Sequence, residues 1–443
     1  MNAREVALRI INDIYNNGAY SNIALARELG RQSLTEQDRR FTTELVYGTI
    51  KAGETLDWMV GRYVNRSLDK ISPVILNIIR LGMYQLFFLD KVPASAACNQ
   101  SVELAKKYGH VGTVKFVNGV LRNAARNPER VVYPDKEAEL ERYLALKYFH
   151  PQWIVKRWIE RLGREQTEAL CEINNSTPFL SLRTNTLKVS REELLQILFQ
   201  EGVEASPSEQ VPEGVICRTF PSLSSLKSLQ NGLFQIQDES SMLVAHVMDP
   251  KPGELIMDVC AAPGGKSTHI AALMGGQGTV IAGDVHEHKL SLIQENAERL
   301  GINNIKVKAW DATQIGKLYP QIADRVLVDA PCSGLGVLRR KPDSRWRKSE
   351  EMIQELPQLQ QLILNNAAQC VKVGGVLVYS TCTTEPEENQ QVIENFLTQS
   401  EGRFILQNAG QFLPQKRKED MVQIWPHVDK MDGFFIGRLL RVK

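Results

Sequence analysis

Apolar residues in the first 127 positions recur at helical spacing. They run as Val6, Leu8, Ile10, Ile11 and Ile14, then Phe41, Leu45, Val46 and Ile50, then Val74, Ile75, Ile78, Ile79 and Leu86. Strand alternation is almost absent there, so residues 1–130 predict an all-helical bundle of about six or seven helices. Thr35 and Ser72-Pro73 read as helix starts, because a hydroxyl accepts from an otherwise unpaired N–H of the first turn and proline fits the first helical position. Gly109-His110 reads as a break between the last two helices, and Asn127-Pro128 closes the pattern. Residues 131–177, acidic and aromatic as far as His150-Pro151, predict a helical connector rather than a flexible tail.

From Pro178 the period changes. Phe179-Leu-Ser-Leu-Arg-Thr-Asn185 alternates like a strand, Ser190-Arg-Glu-Glu193 is a capping box that opens a helix, and Gly214–Phe220 is strand-like again. Residues 178–235 therefore predict a small α+β module. Over residues 236–443, short apolar runs at Leu255–Val259, Thr279–Asp284, Ile305–Ala309, Arg325–Asp329 and Val376–Ser380 are separated by helix-length segments. That alternation predicts a doubly wound, Rossmann-like α/β domain with a parallel sheet.

Composition adds little to the fold but narrows the function. At 443 residues the chain exceeds the size at which single cores stop growing, as the three textures already suggest. No stretch reaches the roughly 18 apolar residues of a membrane span, and the first residues run straight into an amphipathic helix, so a soluble cytoplasmic protein is expected. The seven cysteines are odd in number, widely spaced and without a CxxC pair, which predicts free thiols. His246, His269, His286, His288 and His427 show no ligand spacing to nearby cysteines or carboxylates, so no metal is expected. The net charge of +2 hides an asymmetry: residues 1–130 hold 18 Lys and Arg against 12 Asp and Glu, the rest 35 against 39. A basic first third favours contact with phosphates.

Ligands of doubly wound sheets bind at the carboxyl ends of the strands, near the point where the strand order reverses. The strand ends of this chain form a chemically consistent set: Cys260-Ala-Ala-Pro-Gly-Gly-Lys266 after the first, Asp284 after the second, Asp311 after the third, Asp329-Ala-Pro-Cys332 after the fourth and Thr381-Cys382 after the fifth. Gly264 and Gly265 let backbone approach a ligand closely. An acid at the end of the second strand suits ribose hydroxyls, and Asp311 suits an adenine amino group. GxGxxG is absent, which argues against a dinucleotide. Gly265-Lys266-Ser267 imitates the end of a P-loop, but that motif needs glycine at position 260, where this chain has Cys260 followed by Ala-Ala-Pro. An NTPase is therefore the weaker alternative.

Cys332 and Cys382 sit at the ends of adjacent strands beside other polar groups, whereas Cys98, Cys171, Cys217 and Cys370 read as buried inert thiols and Cys260 as a small residue lining the cofactor turn. A pair of strand-end thiols suits methylation of cytosine carbon 5. That carbon is a poor nucleophile until a thiolate adds at carbon 6 and makes it enamine-like. Cys382, just after a strand and before a helix, is placed to be ionised. Asp329, as a carboxyl group able to share a proton, suits charge relief at the base N3 and O2, and Cys332, three residues on, is close enough to assist removal of the carbon 5 proton. A third alternative is an RNA-binding or assembly protein with a weak catalytic domain, and the intact thiol pair speaks against it.

The segments Ala261-Ala-Pro-Gly-Gly-Lys266, Asp329-Ala-Pro-Cys-Ser-Gly334 and Ser380-Thr-Cys-Thr383 resemble the motifs of the RNA cytosine-5 methyltransferase family that uses two cysteines. The helical first domain resembles the NusB fold. The three-part chain is similar throughout to the bacterial members that modify small-subunit (16S) ribosomal RNA. The resemblance implies S-adenosylmethionine as cofactor, held by Cys260, Ala261, Ala262, Pro263, Gly264, Gly265, Lys266, Asp284, Asp311 and Asp329. It also implies Cys382 as nucleophile, Cys332 in product release, Asp329 on the N3 edge and a contact from Lys266 to the base. The choice of Cys382 over Cys332 rests on the resemblance, since spacing does not distinguish them.

After Cys332 comes Arg339-Arg-Lys-Pro-Asp-Ser-Arg-Trp-Arg-Lys348, with six basic residues, one acid and one tryptophan. It reads as an RNA-binding loop in which Arg339, Arg340, Lys341, Arg345 and Arg347 track phosphates and Trp346 stacks on a base, a contact worth roughly 1–3 kcal/mol. Carbon 6 is hidden inside a duplex, so the expected partner is free or partly assembled ribosomal RNA with the target base everted, bound by a monomer.

Overall fold

The structure, a computed structural model, describes residues 2–220 and 223–443. The chain forms two compact units, one comprising the chain to Ser176 together with Leu338–Lys348, the other Thr177–Val337 with Ser349–Lys443.

The first unit is helical: α1 (Ala3–Asn17), α2 (Ser21–Arg31), α3 (Glu36–Val60), α4 (Pro73–Phe88), α5 (Ala94–Tyr108), α6 (Val111–Arg126), α7 (Leu140–Lys147) and α8 (Gln152–Ile173). Its helix starts follow the expected chemistry. Thr35 accepts from the Asp38 N–H, Pro73 occupies the first turn of α4, and His110 and Thr113 cap α6 reciprocally. Val6, Ile10, Ile11, Leu45, Ile50, Ile78, Ile79 and Leu121 form the core, each burial stabilising by about 1.5–3 kcal/mol.

The basic segment corrects an expectation. Arg345 is fully buried within this unit and donates to the Phe149 carbonyl (2.7 Å), Asn175 Oδ1 (2.9 Å) and the Asn174 carbonyl (3.1 Å). Burial pushes its guanidinium down to about 9. The Trp346 indole N–H donates to the Ile50 carbonyl at 2.8 Å. Its ring occupies the space that a side chain on Gly53 would need, since a Cβ there would lie 2.6 Å from the indole, and Gly53 interrupts α3 with φ of +22°. Arg347 donates to the Gly18 and Ala19 carbonyls and pairs with Asp343, whose carboxylate also accepts from Ser21 Oγ at 2.5 Å. Arg345, Trp346 and Arg347, expected on RNA, are thus packing groups here. They bond backbone carbonyls of the helical unit, and a guanidinium can satisfy several carbonyls at once.

The second unit opens with a small α+β module: β1 (Leu180–Thr184), α9 (Arg191–Gln200), β2 (Glu204–Pro207), β3 (Gly214–Thr219), α10 (Lys227–Gln230) and β4 (Phe234–Ile236). Its strands form an antiparallel sheet in the order β2-β3-β1-β4. The capping box of Ser190 and Glu193 starts α9 as expected.

The large domain comes next, with α11 (Glu239–Met248), β5 (Leu255–Asp258), α12 (Gly265–Leu273), β6 (Thr279–Asp284), α13 (Glu287–Leu300), β7 (Ile305–Ala309), α14 (Ile315–Leu318), β8 (Ala323–Asp329), α15 (Glu350–Cys370), β9 (Val371–Thr381), α16 (Gln390–Gln399), β10 (Phe404–Gln407), β11 (Met421–Ile424), α17 (Pro426–Asp429) and β12 (Phe434–Arg441). The sheet order is β10-β12-β9-β8-β5-β6-β7, with β11 also on β12. All five expected strands are present and mutually parallel. The expectation of a wholly parallel sheet is corrected by β12, which runs antiparallel to β9 and carries β10 and β11. From β5 the chain proceeds outward through β6 and β7, then returns to β8 and β9 on the other side. The strand order therefore reverses between β5 and β8, and the crevice beyond their carboxyl ends is where a ligand belongs. No helix of the described residues is long and apolar enough to cross a membrane.

Candidate active site

The parallel register fixes which side chains meet at the crevice. Asp329, the last residue of β8, pairs with Ser380 of β9, so the Asp329–Cys332 and Thr381–Cys382 segments leave the sheet side by side. The two sulfurs lie 3.3 Å apart, within hydrogen-bonding range. The Gly336 N–H donates to the Cys382 carbonyl at 3.0 Å, and a Cβ on Gly336 would lie 2.0 Å from the Gly433 carbonyl. The loop beyond Cys332 is thus held against Cys382 by an approach that only glycine permits.

Asp329 and Lys266 form the charged floor. Lys266 Nζ donates to Asp329 Oδ2 at 2.7 Å and Ser380 Oγ to Asp329 Oδ1 at 2.8 Å. Burial alone would lower the Lys266 ammonium, but Asp329 and the Cys382 sulfur outweigh it and hold the group above its usual value. Lys266 therefore stays charged beside both an acid and a thiol. Cys332 has the opposite surroundings: its hydrogen bond with Cys382, its burial and the nearby Glu388 carboxylate all push its thiol well above the usual range. Spacing left the two cysteines equivalent, whereas Lys266 acts on Cys382 and Glu388 on Cys332.

The turn after β5 carries the first motif. Gly264, with φ of +98°, starts α12. Asp258 closes β5 fully buried, accepts from Ser267 Oγ at 2.6 Å, and is pushed up to about 7, chiefly by burial and then by Asp329. Cys260 lies among Asp258, Asp329 and Asp284; burial and these acids push its thiol well up, so it is a neutral lining group. Asp284 Oδ1 accepts the His286 N–H at 3.0 Å. Asp311 is exposed and caps a short turn, with its Oδ1 accepting from the Thr313 N–H (2.9 Å) and Oγ1 (2.7 Å). Cys171, Cys217 and Cys370 are buried and pushed up to about 12 by desolvation, as inert thiols should be.

Several residues near the site escaped the sequence reading. Asp258, Ser267 and Ser380 each sit within or next to a motif, and the serine–aspartate bonds were legible as strand-end acids with adjacent hydroxyls. Gln360 and Glu388 carried no such signal. A third group lies under the cofactor turn, where Arg183 of β1 donates to Gln237, to the Gly265 carbonyl (2.6 Å) and to Thr268 Oγ1 (3.0 Å). Beside it, Glu213 Oε1 lies 2.9 Å from His246 Nε2 and 2.6 Å from His269 Nε2. Two histidines without a nearby partner in sequence thus share a carboxylate from the small module. Their donor atoms fall within 4.8 Å of one another. With the Arg183 cation acting on the same carboxylate, and His269 Nδ1 buried and unpartnered among the described residues rather than oriented by a second acceptor, the cluster reads as a charge network and not a metal cage.

This network gives acid sensitivity. Burial, reinforced by Arg183 and only partly offset by Glu213, pushes His269 down to about 4, while the two imidazoles overcome desolvation and hold Glu213 well below the usual carboxylate range. Both folded values are depressed, so the stability they contribute is present at neutral pH and lost on acidification. For His269 the loss begins near the unfolded value of 6.5 and continues towards about 4. The thermal midpoint should fall across this window, and His269→Gln should flatten the fall. Equal slopes for the two proteins would contradict the assignment.

A chain that joins a helical unit to a Rossmann-like domain, with two thiols and a Lys–Asp pair at the switch point, defines a transferase of the nucleoside-cofactor class. Comparison with known proteins makes this specific. The family model described as 16S rRNA methyltransferase RsmB/F matches residues 245–440, the NusB family model residues 1–126, and the RsmF/B-like ferredoxin-like domain residues 150–222. The probable ribosomal RNA small subunit methyltransferase B of Bacillus subtilis (strain 168) is 41% identical over 438 residues, covering 98% of this chain and 97% of its own. Its counterpart in Synechocystis sp. is 40% identical over 444 residues, 99% of each chain. The crystal structure of PH0851 superposes with a TM-score of 0.85 at 27% identity, over 100% of this chain and 99% of its own. NSun6 from Pyrococcus horikoshii, solved with SFG, reaches 0.60 at 26% identity over 66% of this chain and 98% of its own. The chain belongs to the RsmB/F family of 16S rRNA methyltransferases.

Proposed function

We propose that this protein transfers a methyl group from S-adenosylmethionine to carbon 5 of a cytosine in small-subunit ribosomal RNA, through a covalent bond between Cys382 and carbon 6. The carrying observation is the pair of sulfurs 3.3 Å apart at the ends of adjacent strands, with the Lys266 ammonium acting electrostatically on Cys382 and the Glu388 carboxylate on Cys332. A cation favours the thiolate and an anion opposes it, so the nucleophile is Cys382.

The residues fit the cofactor. Asp284 ends its strand with Oδ1 bonded to backbone, and among the described residues no donor is bonded to Oδ2, which suits a ribose hydroxyl. The turn from Cys260 through Ala261, Ala262, Pro263, Gly264 and Gly265 to Lys266 would line the rest of the site, with Asp311 and Asp329 at its rim. S-adenosylmethionine supplies an electrophilic methyl group, and a relative solved with SFG, an analogue of it, supports the reading.

The chain's own groups do the remaining work. The Cys382 thiolate adds to carbon 6 while Asp329, fixed by Lys266 and Ser380, holds the N3 edge, with Lys266 as the adjacent proton source and countercharge. Carbon 5 then carries both its hydrogen and the new methyl group. Cys332, once its own proton has passed to solvent, removes the carbon 5 proton as a thiolate, and the electron pair re-forms the C5–C6 double bond and expels the Cys382 thiolate. Arg339, Arg340 and Lys341 remain proposed contacts to RNA phosphates. The substrate is free or partly assembled RNA, the enzyme a cytoplasmic monomer. Labelled S-adenosylmethionine and unmodified small-subunit RNA should yield 5-methylcytosine at one position. Label on another atom or base would overturn the reading.

A further inference from the structure

Glu388, in the short turn Pro386–Glu388 after β9, is fully buried, and its Oε2 accepts the Ser333 N–H at 2.8 Å and Gln360 Nε2 at 2.9 Å. Gln360, buried on α15, also donates to the Pro331 carbonyl at 3.0 Å. The backbone on both sides of Cys332 is therefore tied to one carboxylate and one amide. Tyr379 of β9 donates to the Glu388 carbonyl at 2.7 Å, and Ser333 Oγ shares a hydrogen bond with Thr383 Oγ1 at 2.7 Å, which fixes the turn and the Cys332 segment to each other. Glu388 Oε1 is buried with no hydrogen-bond partner among the described residues, and burial holds the carboxyl above its usual range, offset in part by the donors from Ser333 and Gln360.

We propose that Glu388 is a positioning residue for the second cysteine: with Gln360 it clamps the Pro331–Ser333 backbone, and its charge assigns to Cys332 the proton that the two sulfurs share. The proposal rests on the two-cysteine reading above and extends it to what makes the cysteines unequal. Around the Cys332 thiol stand Cys382 from the segment after β9, Glu388 from its turn and Tyr379 from β9, with Glu385 acting on Glu388. Lys266, by contrast, acts on Cys382. Cys332 therefore keeps its proton while Cys382 attacks; it releases that proton to solvent before the carbon 5 proton leaves, and its high proton affinity then makes it the stronger base.

The test reads Cys332 alone, in full-length protein carrying Cys382→Ala, by the pH dependence of its alkylation with iodoacetamide, followed by peptide mass spectrometry. Glu388→Gln keeps an acceptor for the Ser333 N–H but removes the charge, and should lower the midpoint by about one pH unit. Gln360→Glu adds a second carboxylate and should raise it. Glu388→Asp should stay close to the parent. Opposite shifts from the two charge changes are what the proposal requires, since a packing lesion would move both the same way. Equal shifts, or none, would overturn it. The assay contains neither RNA nor cofactor, so it fails independently of the methylation reading: opposite shifts without methyl transfer would leave the clamp standing and remove the function.

Discussion

Cys382→Ala should lose methyl transfer by on the order of 10⁴-fold or more, while Cys332→Ala should carry out one round of methylation and remain attached to its RNA. The asymmetry follows from the chemistry. Without Cys382 nothing adds to carbon 6 and carbon 5 stays unreactive, so the first bond never forms. Without Cys332 the addition and methyl transfer proceed, but the base for the carbon 5 proton is missing and the S–C6 bond persists. Both thiols are half-buried at strand ends, so neither substitution opens a core cavity, and folding should be close to normal. Single-turnover methyl transfer and a denaturing gel for the RNA–protein adduct separate the two phenotypes. Reversed phenotypes would exchange the roles.

Lys266→Met should lower methyl transfer by roughly 10²–10³-fold, the range seen when one preorganised charge is removed from an active site. Its ammonium serves two anions, Asp329 at 2.7 Å and the Cys382 sulfur, so its removal weakens both the grip on the base and the ionisation of the nucleophile. The second effect has its own readout: Cys382 alkylation should need a higher pH in the variant. Lys266→Arg should recover part of the activity by keeping the charge. Unchanged Cys382 reactivity in Lys266→Met would confine the lysine to the cofactor turn, and cofactor binding measured by calorimetry would then account for the loss.

The parts of the site legible in sequence share one property: they are local. Each site strand is a short apolar run closed by an acid or thiol, and the doubly wound alternation implies that those ends converge, so the crevice and its two cysteines follow from pattern alone. Strand β12 was not legible because an antiparallel partner needs no crossover helix and so breaks the alternation. Arg345 and Trp346 misled because a basic run with one tryptophan has the same composition whether it meets RNA or buried carbonyls; what decides is Gly53 and Ile50, almost three hundred positions earlier. Glu388 lies in Glu385-Pro-Glu-Glu388, whose composition carries no sign of burial, and only the fold buries Glu385 and Glu388 and sets Glu388 against the Ser333 N–H beside Cys332. Glu213 likewise gains His246 and His269 only when the small module packs on α11 and α12.

The most direct measurement is the site of attachment in the trapped complex. Cys332→Ala would be incubated with S-adenosylmethionine and unmodified small-subunit RNA, digested with nuclease and protease, and the cross-linked peptide sequenced by mass spectrometry. The expected product is a methylated cytosine nucleotide attached to the peptide containing Cys382. A nucleotide attached to any other residue, or released 5-methylcytosine with no adduct, would contradict the two-cysteine account.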